Sequence, residues 1–151
     1  MRKRPDAIAK INGSHLYPNL RGIVEFLQIK EGVLVSACIS GLPTSDDICR
    51  NPVFAMHLHS GLSCTENETD PFADAATHYN PENCLHPYHA GDMPPLFGAS
   101  GLAISMFLTD RFSVEEIIRK SVIIHSGFDD FSSQPAGNSG EKIACGVITK
   151  V

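Results

Sequence analysis

The chain has 151 residues, 42% of them apolar, no tryptophan and a formal net charge of −5 at neutral pH. That length suits a single domain, residues 1–151, with a full core. The acidic balance and the lack of a basic stripe argue against nucleic acid as a partner, and no apolar run is long enough to cross a membrane. The start, MRKRPDAIAKING, is basic but has no apolar stretch behind it. It carries no signal peptide as written and reads as cytoplasmic, with secretion left open.

AIAKI, after Pro5, predicts a short strand. In RGIVEFLQIK, Ile23, Glu25, Leu27 and Ile29 share one face, and Val24, Phe26 and Gln28 the other. VLVSACIS repeats the alternation through Val33, Val35, Ala37 and Ile39 after the Glu31-Gly32 turn, so the two segments predict a hairpin. SGLPTSDD breaks the pattern, and PVFAMHLH predicts the next strand. Residues 60–98 hold five prolines and no long apolar period. A loop of that length in a compact domain is usually functional. GLAISMFLT (101–109) predicts a strand, and Ser113-Val-Glu-Glu116 has the capping-box pattern of a short helical turn. RKSVIIH (119–125) predicts a strand ending on a histidine. GFDDFSSQPAGNSG forms a second long loop, and KIACGVITK (142–150) is the final strand. Short strands between long loops imply an all-β sandwich or barrel.

Six of the seven histidines lie in or beside these loops or on the FAMHLH strand; only His15 is elsewhere. His57 and His59, two apart on a strand, point to one face and can share a metal. His78, His86 and His89 are followed closely by Asp92, and His125 ends a strand. One four-coordinate site cannot use six imidazoles and a carboxylate, but two neighbouring sites can. Five cysteines, Cys38, Cys49, Cys64, Cys84 and Cys145, allow at most two disulfides, and no CxxC pair occurs.

In order, the segments HLH, HYNP, HAGD, VIIHSGFDD and GNSGEKIACGVI resemble the copper,zinc superoxide dismutase family from about residue 6 to the C-terminus, and the earlier SGLP turn fits too. The resemblance implies an eight-stranded Greek-key β-barrel or sandwich with two long functional loops. It implies an antioxidant oxidoreductase that converts superoxide anion to dioxygen and hydrogen peroxide, with copper and zinc as cofactors. His57, His59, His78 and His125 would bind copper, and His78, His86, His89 and Asp92 would bind zinc, with His78 bridging the two. A closed set of three nitrogens and one oxygen suits structural zinc, and an all-imidazole set with an open position suits redox copper. By the same resemblance, Asp129 would accept hydrogen bonds from one ligand of each metal, Cys64 and Cys145 would form a disulfide, and Lys142 and His78 would act in catalysis. Monomer and homodimer both fit. A non-catalytic relative that stores or delivers copper or zinc is the alternative.

Four features depart from the family pattern. Lys142 stands where the family has an arginine, which keeps the charge but loses the planar fork. Asp129, Asp130 and Glu141 make the second loop acidic, which disfavours steering of an anion. Only three positions separate His86 from His89, with Pro87 between them, and TENETDPFAD has the look of an insertion. A second disulfide between Cys49 and Cys84 is expected, with Cys38 packed as the odd thiol.

Overall fold

Residues 4–50 and 52–151 are described by the computed structural model. The alternating N-terminal segments become β1 (Ala7–Gly13), β2 (Arg21–Ile29) and β3 (Gly32–Ser40). The hairpin register runs from Arg21 opposite Ser40 to Ile29 opposite Gly32. After it come β4 (Val53–Phe54), β5 (Met56–His59), β6 (Leu96–Phe97), β7 (Leu102–Thr109), the single-turn α1 (Val114–Ile117), β8 (Ser121–His125) and β9 (Lys142–Lys150). Seven strands form one antiparallel sheet in the order β5-β8-β9-β1-β2-β3-β7, and β4 pairs with β6.

The expected strand over 52–59 is interrupted at Ala55. Its amide donates to the Gly127 carbonyl (2.8 Å) and its carbonyl accepts from His125 N–H (2.9 Å), so the chain leaves the ladder for one residue. With β4 and β5 counted as one interrupted strand, the described residues form the eight expected. The chain after β3 crosses to the far edge of the sheet before β7 returns beside β3, which is Greek-key connectivity. The strand expected from residue 119 begins at Ser121, because Arg119 has a left-handed backbone (φ 72°) and its amide bonds to Ile148 O. Ser113 caps α1 and Glu116 reaches back to it, the reciprocal pattern the sequence predicted.

The curled sheet encloses a core that includes Val24, Phe26, Val33, Val35, Ile39, Leu58, Ile124 and Ile148. Outside it, cross-strand rows Ile23–Cys38–Ile104 and Leu27–Leu34–Leu108 run over β2, β3 and β7. Ile104, Met106 and Leu108 are exposed there. No described helix is long and apolar enough to cross a membrane.

Cys64 and Cys145 are joined, with Cα atoms 5.7 Å apart, tying the first long loop to β9. The other two cysteine expectations fail. Cys49 and Cys84 are free thiols, Cys49 on an exposed helical turn over Ile48–Arg50 and Cys84 in the histidine loop. Cys38 is exposed, because it faces outward with Ile23 and Ile104 while its neighbours Ala37 and Ile39 point into the core. The segment 65–74 is tied down by its own hydrogen bonds and by packing. Asn67 Oδ1 accepts from the amides of Thr69 (2.9 Å) and Asp70 (2.8 Å), and buried Phe72 packs against Cys145 and Ile123.

Candidate metal centre

β5 presents His57 and His59 to one side, and β8 lies against it with Met56 opposite Ile124. A bulge between Ile124 and His125 shifts the β8–β9 register, so that His125 falls opposite Lys142. Bulges re-aim side chains at strand ends. The histidine loop docks on β5 through bridges His59–His78 and His57–Asp92. Leu58 N–H donates to Gly91 O and Leu58 O accepts from Tyr79 N–H, both at 2.8 Å. Gly91 must be glycine, because a Cβ there would collide with the Leu58 carbonyl.

All six histidines of the two predicted sets, together with Asp92 and Asp129, are buried. One atom from each of His57, His59, His78 and His125 lies within 4.8 Å of the others, and the same holds for His78, His86, His89 and Asp92. The structure therefore brings together every metal-ligating residue proposed from the sequence, with His78 common to both groups.

Acceptors behind the rings set the tautomers. His57 Nε2–H and His86 Nε2–H donate to the two oxygens of Asp129, at 2.7 and 2.8 Å. His59 Nδ1–H donates to Ala76 O (2.9 Å) and His125 Nδ1–H to Gly140 O (3.2 Å). The opposite nitrogens, Nδ1 of His57 and His86 and Nε2 of His59 and His125, then carry lone pairs, and each is buried with no hydrogen-bond partner among the described residues, as is His78 Nε2; His86 Nδ1 faces Asp92 Oδ2 at 3.0 Å as one acceptor against another. Buried polar atoms are nearly always satisfied, so five such atoms in one place fit missing metal bonds. His78 Nδ1 lies 2.8 Å from Asp92 Oδ1, His86 Nδ1 and His89 Nδ1 lie 3.0 and 3.3 Å from Asp92 Oδ2, and His89 Nδ1 is 3.3 Å from His78 Nδ1. Tetrahedral bonds near 2.0–2.2 Å would space neighbouring ligand atoms about 3.3–3.6 Å apart, and both His89 contacts meet this spacing despite the short His86–His89 separation in sequence.

The electrostatics favour lone pairs over charge. Burial, reinforced by His125, holds His59 well below the ordinary histidine range. Burial with the neighbouring His57 brings His125 down to about 3. Burial also lowers His57, although the Asp129 bond opposes it. For Asp129, burial pushes upward, but bonds from His57, the Phe131 amide and His86 outweigh it and leave a pKa of about 2. Asp129 is an ionised acceptor at neutral pH, which keeps both rings proton-donating on its side.

Three contributors have no local signal in the sequence. Arg111 Nη1 donates to the carbonyls of Pro87 (2.9 Å) and His89 (3.2 Å), pinning the histidine loop from beyond β7. Gln134 exchanges hydrogen bonds with the His86 backbone at 2.7 and 3.0 Å. Gly137, with φ 70°, leaves room for Asp129 and His86, which a Cβ would strike. Lys142 lines a cavity of about 420 Å³ together with His59, His78 and His125.

The family model for copper/zinc superoxide dismutase matches residues 20–148. A superoxide dismutase [Cu-Zn] of Aquifex aeolicus is 32% identical over 142 residues, 84% of this chain and 78% of that protein. One from Photobacterium leiognathi is 32% identical over 141 residues, with 84% and 78% covered. The copper chaperone for superoxide dismutase of Homo sapiens is 30% identical over 145 residues, 87% of this chain but only 49% of the chaperone. Given the eight-stranded barrel and the paired histidine clusters, this chain belongs to the copper/zinc superoxide dismutase family.

Proposed function

We propose that this chain dismutates superoxide at a histidine-bridged centre, with copper held by His57, His59, His78 and His125 and zinc by His78, His86, His89 and Asp92. The five buried ring nitrogens without partners, beside rings fixed from behind by acceptors, carry this reading. When bound, copper would supply a one-electron carrier that cycles between two oxidation states, and zinc would supply a fixed positive charge to the group that shares His78. In the net reaction two superoxide anions and two protons give one dioxygen and one hydrogen peroxide, one anion being oxidised and the other reduced. His78 serves as the carrier of one proton: Nε2 takes it up and passes it to the reduced product, water supplies the second, and Nδ1 stays in the Asp92 cluster. Lys142, at the rim of the cavity, attracts and positions the anion. Asp129 orients His57 and His86 together.

The test is superoxide decay by protein reconstituted with copper and zinc, with metal content measured on the same sample. Rapid decay at one copper per chain is expected. Full loading without acceleration would instead favour metal storage or delivery. That rival is disfavoured because every ligand position is filled and because the likeness to the chaperone spans half of that protein. A zinc hydrolase is disfavoured too, since four protein ligands leave no open position for water.

Asp129→Asn should lower metal affinity by about 10- to 100-fold, because two ligand rings lose their shared acceptor. Competition with a chelator measures this, and unchanged affinity would remove Asp129 from its orienting role. Of the compartments considered, the Cys64–Cys145 bond favours an oxidising one over the cytoplasm. Of the two oligomeric states, the outer face of β2, β3 and β7 favours the homodimer. Leu102, Ile104, Met106 and Leu108 are 42%, 73%, 63% and 51% exposed. These four side chains lie together on the outward face of β7, an apolar surface of the kind that sits at the centre of an interface. Sedimentation of wild type should give a dimer that Ile104→Lys/Leu108→Lys dissociates; a monomeric wild type contradicts it.

A further inference from the structure

The 65–74 segment reaches the rim of the metal centre through one residue. Lys142 Nζ donates to Asp70 Oδ2 at 2.7 Å and to Phe72 O at 3.0 Å. The Lys142 side chain is 16% exposed and that of Asp70 35%, so the pair is half-shielded from water. Two of the three ammonium donors are thus taken by this segment, which leaves one for an anion. Asp70 is itself held in place, its Oδ1 accepting from the Phe72 amide at 2.8 Å, and Phe72 is buried beside the disulfide. On its outer side the pair faces a groove lined by Glu66, Glu68, Glu141 and His125. On its inner side lies the cavity that Lys142 shares with His59, His78 and His125.

We infer that Asp70 is a positioning residue that holds Lys142 toward the 65–74 segment and thereby weakens the binding of small anions at the copper-facing cavity. The inference rests on the dismutase reading for the identity of the anion. The charge argument is direct. A carboxylate at 2.7 Å cancels most of the field of the ammonium at distances where an incoming anion first feels it. An arginine in the same place would have five donors and could hold a carboxylate and still grip an anion with two; Lys142 has a single donor left. The segment that reads as an insertion, the acidic groove and the lysine substitution thus act on one step, the capture of the anion.

The experiment uses the full chain loaded with copper and zinc. Azide, a small monovalent anion, is titrated by absorption at low and high salt, and superoxide decay is measured beside it. Asp70→Asn keeps an acceptor for the Phe72 amide and removes the charge; Asp70→Ser is the second variant should the first fail to fold. Either should bind azide roughly two- to five-fold more tightly at low salt, and the gain should shrink as salt screens it. Glu68→Gln changes the net charge equally in the same groove without touching Lys142, and should give less than half of that gain. In a Lys142→Gln background, Asp70→Asn should give none. Equal gains from Glu68→Gln and Asp70→Asn, or a gain that persists without Lys142, overturns the proposal. Tighter azide binding in a protein that does not accelerate superoxide decay leaves the proposal standing and overturns the dismutase reading. Normal decay with unchanged azide affinity does the reverse.

Discussion

His125→Ala is expected to reduce superoxide decay by more than about 100-fold and to empty the copper site while zinc stays near one per chain. A supporting partner of a ligand is worth up to about 100-fold, so loss of a ligand exceeds that. His125 supplies Nε2, which is buried, unpartnered and kept unprotonated by the bond from Nδ1 to Gly140 O. Alanine removes that nitrogen and the ring that fills the bulge beside Lys142. The zinc cluster contains no atom of His125, so the two metals should separate in one measurement. Copper and zinc content by mass spectrometry, with decay rates on the same samples, decides it. Equal loss of both metals would show that the centre collapses as a unit, and retained decay would take His125 out of the copper set.

The second large effect is on stability. Cys64→Ser, made together with Cys145→Ser so that no stray thiol remains, is expected to destabilise the fold by about 4.5 kcal/mol. The bond joins residues 81 positions apart, so its loss frees the unfolded chain of one long closed loop. Domain stabilities run about 5–15 kcal/mol, so this loss takes a large share. Phe72 and Ala75 pack on Cys145, and their loosening should also release Asp70 from Lys142. Denaturant unfolding with and without reductant tests this. Reduction of the wild type should reproduce the double variant, and a loss under about 1 kcal/mol would contradict the entropic account.

Much of this was legible in the chain. Period-two alternation marked β2 and β3, because a strand with one buried face leaves that trace in any sequence. The capping box marked α1, because its partners are three residues apart. The resemblance carried by HLH, HYNP, HAGD and VIIHSGFDD brought seven residues to one centre, since each short segment keeps its spacing. The errors have a common origin. The break at Ala55 depends on Gly127 and His125, and the freedom of Cys49 and Cys84 depends on where two distant loops lie. Cys38 sits in an apolar alternating run, but its face turned out to be the outer one, and that face is apolar as well.

The sequence by itself determined the fold class, the ligand types and the charge at position 142, since these follow from residue identity and short spacing. Only the tertiary structure decided that Arg111 and Gln134 brace the histidine loop, that Gly137 admits Asp129 between two rings, and that Asp70 occupies Lys142. Each of those contacts joins residues more than 20 positions apart, or depends on a backbone angle, and no periodicity in one dimension records a distance that exists only after the chain has closed on itself.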